Sequence, residues 1–216
     1  MYIPPLFEEH RLPVLHELIR SHPLGLLVVA SPEGLEGHHV PFFLSPHPAP
    51  HGTLQGHVAR TNPVWQKVSE QQSVMVVFSG PEAYVSPSWY PTKQEHGRVV
   101  PTWNYAAVHA HGTLRVRDDP AWLRSQMHAL TAQQEMVFES PWTMDDAPDD
   151  FIERLVQAVV GLELIITRLE GKWKISQNQP PQNQEGVIQG LEASDQPGSM
   201  EMAALMRRRG GADTTR

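Results

Sequence analysis

The sequence predicts a mainly β fold with peripheral helices, an antiparallel barrel or sandwich of the α+β class. Three observations carry this. Six or more strands precede the first long helix, capped at Asp119-Pro120, tight Gly/Pro turns join most of them, and the strand–helix alternation that builds parallel sheets is absent. No internal repeat occurs, and the apolar strand at Gly161 needs partners in the first half. Residues 1–193 therefore read as one domain, and 194–216 as a flexible tail rich in Gly, Ser, Met and Arg.

The elements follow in order. Met1 to Phe7 carries prolines and reads as extended. Glu8 to Ser21 places Leu12, Leu15, Leu18 and Ile19 at helical spacing, which predicts an amphipathic helix ended by His22-Pro23. Leu24 to Ala30 is a continuous apolar run, hence a buried strand. Ser31-Pro32-Glu33-Gly34 reads as a hairpin turn, Gly37 to Leu44 as a second strand and Ser45 to Gly52 as a Pro/His loop. Thr53 to Ala59 is a third strand, after which Asn62-Pro63 opens a short helix carrying Trp65 and Val68. Ser73 to Ser79 is a fourth strand ending at a Gly80-Pro81 turn, and Glu82 to Val85 a brief fifth. Asn104 to Arg117 alternates and reads as a long sixth. Asp119-Pro120 caps a helix to about Glu135, and Asp149 to Val159 forms another. Gly161 to Leu169 is a strong strand that turns at Glu170-Gly171 into Trp173-Lys174-Ile175. Pro180-Pro181 then opens a polar helix to about Ala193.

Composition narrows the chemistry. With 216 residues, 40% hydrophobic and 19% charged, the chain can bury a sizeable core and belongs to the globular class. Its formal charge of -7 gives no general attraction to nucleic acid or anionic membrane. The absence of Cys excludes a disulfide framework and a thiolate nucleophile. The start MYIPPLFEEH has no signal-peptide pattern, and no apolar run approaches the roughly 18 residues that span a bilayer. The expectation is a cytoplasmic protein.

Three stretches carry candidate chemistry. Tyr84 to Tyr105 holds two Pro-aromatic blocks, Ser86-Pro87-Ser88-Trp89-Tyr90 and Pro101-Thr102-Trp103-Asn104-Tyr105, around a polar loop with Lys93, His96, Gly97 and Arg98. Rings that can stack, beside hydroxyls and amides that can bond a rim, suit a planar ligand with polar edges. The same residues also suit a loop pinned to a core by its rings. The segment from Gly56 through His57, Arg60, Thr61 and Asn62 crosses from a strand end to a helix start, where free N–H groups favour an anion. An ordinary N-cap with a solvated Arg60 is the alternative there. In Gly171 to Asn178, Lys172, Lys174 and Ser176 share one strand face and can receive an anion, or else form a solvated edge. Metal binding is disfavoured. His38 and His39 point to opposite faces, and His109 and His111 share a face without a third ligand at ligand spacing. No Gly-x-Ser-x-Gly elbow or glycine-rich phosphate loop occurs.

Five blocks in this order resemble the FMN-binding negative transcriptional regulators, the PaiB-like family. They are Met1-Tyr2-Ile3-Pro4, Gly56-His57 through Asn62-Pro63, Tyr84 to Tyr90, Val100 to Tyr105, and Gly171-Lys172 through Ser176-Gln177-Asn178. The match runs collinearly over about residues 1–193 and leaves out Arg207-Arg208-Arg209. The resemblance implies an antiparallel split β-barrel, similar to flavin reductases and pyridoxamine-phosphate oxidases, and a homodimer with FMN near the subunit interface. It implies that Arg60, helped by His57 or Asn62 with Thr61 beside them, meets the FMN phosphate, with Lys172 or Lys174 as second candidates. It also implies that Trp89 or Trp103 lies on the isoalloxazine, that Ser86, Ser88, Thr102 and Asn104 bond its rim, and that Lys93 offsets negative charge. Tyr90, Ser176 and Gln177 complete the candidate cofactor set. Two function classes follow, a flavin-dependent regulator or sensor and an FMN-dependent oxidoreductase, with a haem-binding split barrel as a third. The acidic chain shows no helix-turn-helix pattern, so the resemblance does not extend to direct DNA contact.

Overall fold

The computed structural model describes residues 1–31, 34–68 and 72–212. Its eight strands are β1 Glu8–Glu9, β2 Leu24–Ser31, β3 Gly34–Pro41, β4 Phe43–Ser45, β5 Thr53–Ala59, β6 Ser73–Val85, β7 Thr102–Arg117 and β8 Val159–Lys174. They form one open antiparallel sheet in the order β3-β2-β6-β7-β8-β5-β4, with β1 paired to β8 off this path. Seven α-helices accompany it: α1 Leu12–Ser21, α2 Val64–Lys67, α3 Thr92–His96, α4 Pro120–Glu135, α5 Asp149–Gln157, α6 Pro181–Glu192 and α7 Ser199–Ala212.

Several boundaries differ from the sequence expectation, each for a local reason. Glu8 and Glu9 are strand rather than helix, paired with Lys172 and Gly171. The Glu9 carboxylate accepts the Arg11 backbone N–H at 2.9 Å, and the helix starts only at Leu12. The expected second strand is two, β3 and β4, parted at Phe42, whose ring meets Phe78 edge-on at 6.2 Å. Gly80-Pro81 does not turn the chain; β6 runs through it for 13 residues. Gly171 does not turn it either. A Cβ there would sit 2.2 Å from Leu15 Cδ2 and 2.8 Å from Glu9 O, so this glycine permits close approach of β1 and α1. The hairpin expected at Ser31 to Gly34 falls on Pro32 and Glu33, which lie outside the described residues. The tail expected to be flexible forms α7, with Met202, Ala203 and Met206 buried.

The chain packs as two compact units, each built from separated stretches. One comprises Met1–Leu15, Ser79–Val108 and Glu170–Arg216; the other comprises His16–Phe78 and His109–Leu169. In the first, Val187 and Leu191 of α6 meet α7 in a small apolar core. In the second, Leu27 of β2, Leu54 of β5, Phe78 of β6 and Leu162 and Leu164 of β8 are fully buried. A satellite core of Leu123, Met144, Ile152 and Val156 joins α4 to α5. Asp119 caps α4 as its sequence predicts, accepting the Trp122 N–H at 2.7 Å.

Candidate functional site

The stretch Tyr84 to Tyr105 lies in the first unit, and local hydrogen bonds hold its part from Ser86 to Gly97. Ser86 Oγ accepts the Ser88 N–H at 3.2 Å and caps a single 3-10 turn, Pro87–Trp89. Helix α3 follows and ends at Gly97, whose φ of +66° is the left-handed conformation that glycine adopts without a Cβ penalty. Buried Thr92 accepts from Asn183 Nδ2 at 2.9 Å and ties α3 to α6. Trp89 belongs to the same packing. A Cβ on Gly186 would stand 2.2 Å from Trp89 O, and one on Gly190 would stand 2.3 Å from its indole ring. The two glycines, one turn apart, let that indole lie directly on the helix backbone. Trp103 is different. It is half exposed and meets Tyr84 in an edge-type arrangement, with centroids 6.1 Å apart at 65°.

Beside these rings a cavity of about 190 Å³ opens, lined by Tyr90, Thr102, Asn104, Lys174 and Ser176, by the loop from Arg98 to Pro101, and by Asn178 and Gln179. Thr102 and Asn104 reach it because they alternate with outward Trp103 on β7. Asn104 is fully buried, and its amide and the Ser176 hydroxyl bond each other at 2.9 and 3.2 Å. Ser176 holds φ +63°, rare for a residue with a side chain, and this bend carries the chain from β8 along the cavity wall. Lys174 Nζ donates to Thr102 Oγ1 and, at 2.6 Å, to the Trp103 carbonyl. Burial pushes its pKa below the usual lysine range, and the neighbouring charge of Lys172 lowers it further. Lys172 donates to the Tyr2 carbonyl at 3.1 Å and lies 5.3 Å from the Tyr105 ring centroid, a cation–π distance. Among the described residues neither ammonium has a carboxylate partner. Buried Tyr90 has its phenol pKa raised by burial. The cavity wall thus offers two cations, Lys174 and Arg98, with hydroxyls and amides, and no carboxylate.

The remaining expected residues fall elsewhere. Ser88 and Lys93 form an exposed pair at 3.4 Å, outside the cavity wall. Gln177 folds back on the strand end. Its Oε1 accepts the Ile175 N–H at 2.7 Å and its Nε2 donates to the Trp173 carbonyl, so its amide finishes β8. His57, Arg60, Thr61 and Asn62 belong to the second unit. Arg60 forms a fork on Asp118, with Nη2 to Oδ1 at 2.5 Å and Nη1 to Oδ2 at 3.0 Å, and donates to the Gln157 and Val159 carbonyls. Asp118 raises the Arg60 pKa and is itself lowered by Arg60. His57 Nδ1 bonds Gln126 Oε1 at 2.8 Å, Asn62 Oδ1 accepts the Val64 N–H at 3.0 Å, and Thr61 is exposed in the turn. These are protein-to-protein contacts that clasp the β5 end to its neighbours. His109 and His111 face each other with ring centroids 6.4 Å apart. Sequence reasoning left Arg98, Asn178 and Gln179 out of the candidate set. Arg98 was visible as a loop charge, but only the Gly97 bend shows where it goes.

Residues 1–168 match the family described as "Putative FMN-binding domain". An uncharacterised protein of Emericella nidulans is 35% identical, over 97% of this chain and 98% of its own. The protease synthase and sporulation protein PAI 2 of Bacillus subtilis is 27% identical, over 95% and 96%. Among solved structures, the FAD and heme binding protein from Mycobacterium smegmatis superposes with a TM-score of 0.54 at 14% identity, covering 77% of this chain and 73% of that one. The fold is an antiparallel split β-barrel with peripheral helices. No helix among the described residues is long and apolar enough to cross a membrane.

Proposed function

The chain belongs to the FMN-binding domain family that its residues 1–168 match, and from that premise we propose that it binds FMN with the phosphate in the cavity at Lys174. One observation carries this reading: half-buried Lys174, beside Lys172 and without a carboxylate, faces a cavity whose polar lining is otherwise hydroxyl, amide and guanidinium. Burying cations without a counter-charge is costly, and a bound anion relieves that cost. A phosphate monoester brings about -1.5 to -2 charge at neutral pH. The cavity, at about 190 Å³, is smaller than the roughly 300 Å³ at which sites for whole small ligands begin. It therefore takes one end of FMN and leaves the isoalloxazine outside. Half-exposed Trp103 is the ring available to stack on it, since Trp89 is packed on α6.

The flavin serves a regulatory or sensing role in this reading. The Bacillus subtilis relative is named a protease synthase and sporulation protein, and the sporulation half of that name supports this reading. Residues 1–193 act together as the FMN-binding domain.

Fluorescence titration of FMN tests the site. In Lys174→Met, with circular dichroism unchanged, affinity falls about ten- to hundredfold, the loss of one charge-assisted bond. Parent affinity in a folded Lys174→Met protein removes the cavity from the account. Stopped-flow mixing of the FMN-loaded protein with NADH or NADPH tests the role. Bleaching of the flavin within seconds would make the protein an FMN-dependent oxidoreductase instead.

A further inference from the structure

Arg98 stands on a part of the cavity wall, 97–101, that belongs to no helix or strand. It follows Gly97, the left-handed end of α3, and precedes β7, which starts at Thr102. Val99, Val100 and Pro101 line the cavity beside it, yet no backbone hydrogen bond ties 99–101 to another element among the described residues. The Arg98 N–H bonds His96 Nδ1 at 3.0 Å, and its side chain is exposed. No acceptor engages its guanidinium among the described residues. Val100 is 73% exposed. A Cβ at Gly97 would meet nothing within 4 Å, so the bend has open space around it. The opposite wall is rigid by comparison: Lys174 is bonded to Thr102 and Trp103, and Asn104 to Ser176.

We propose that Arg98 selects the phosphate-bearing form of the flavin, closing the 97–101 loop over the phosphate that Lys174 holds from the other wall. The proposal rests on the FMN reading above and adds a specificity-determining residue to it. A guanidinium presents parallel N–H donors that match two phosphate oxygens, which an ammonium cannot do. Riboflavin carries the same ring and ribityl chain without the phosphate. It therefore gains from Trp103 but not from Arg98, and leaves the loop open.

The experiment uses the full chain with FMN and riboflavin as the two probes. Fluorescence quenching gives the affinity of each for the parent, Arg98→Gln and Arg98→Lys. Limited trypsin digestion reports cleavage of the Arg98–Val99 bond with each flavin present. The expected result is a loss of about ten- to hundredfold in FMN affinity for Arg98→Gln, an intermediate loss for Arg98→Lys, and unchanged riboflavin affinity in both. FMN protects the Arg98–Val99 bond in the parent and riboflavin does not. If the parent binds FMN and Arg98→Gln binds it equally well, or if FMN and riboflavin weaken together, Arg98 is not the selector while the FMN reading stands. A parent that binds neither flavin overturns both.

Discussion

Burial and the adjacent Lys172 both oppose the charge on Lys174. A bound phosphate favours that charge, so the Lys174 pKa is higher in the complex than in the free protein. FMN affinity is therefore full below the lowered pKa of the free protein and falls as pH rises through it. Titrations between about pH 7 and pH 10 read this directly, and Lys174→Met supplies the baseline that lacks the dependence. Equal slopes in the two proteins would place the titrating group elsewhere. The neighbouring residues show why residue types alone pointed to a region and not to roles. Lys174 and Gln177 are three positions apart and equally polar, yet one faces the cavity and the other closes a strand end. Arg60 is as basic as Arg98, but Asp118 lies 58 positions away in sequence, and only folding shows that it takes the Arg60 guanidinium. Partners distant in the chain leave no mark on a local pattern.

At the scale of elements, Trp89 and α6 make one packed piece. Gly186→Ala places a methyl group 2.2 Å from the Trp89 carbonyl, a backbone atom that cannot swing aside. Alanine favours a helix interior over glycine by about 1 kcal/mol. Overpacking of this kind costs about 1–3 kcal/mol, so the net change is a loss of stability. Urea unfolding measures it; a more stable Gly186→Ala protein would mean that Trp89 is not seated on the helix. The strands themselves were legible where apolar residues alternate or run together, as in β2, β5 and β7, which match their expected spans closely. They were not legible at Gly80-Pro81 and Gly171, where turn residues sit inside β6 and β8. Glycine marks close approach as readily as a turn, and the neighbour that needs the space, Leu15 for Gly171, is remote in sequence. Helix α7 was missed for a related reason. The Arg-Arg-Arg-Gly-Gly run at its end reads as a frayed terminus, although Met202, Ala203 and Met206 before it are buried.

For the whole molecule, the split-barrel fold was legible through the family resemblance that five short collinear blocks carry. The division into two compact units was not visible, because the chain passes between them within α1, β6, β7 and β8 and not at linkers of distinct composition. In the proposed complex the first unit's cavity, and not Arg60, receives the phosphate of FMN. A crystal structure of the FMN-loaded protein measures this most directly. The expected result is phosphate oxygens within about 3 Å of Lys174 Nζ, with the Arg60–Asp118 fork unchanged. A phosphate bound at Arg60 with that fork broken, or one with no contact to Lys174, would contradict it.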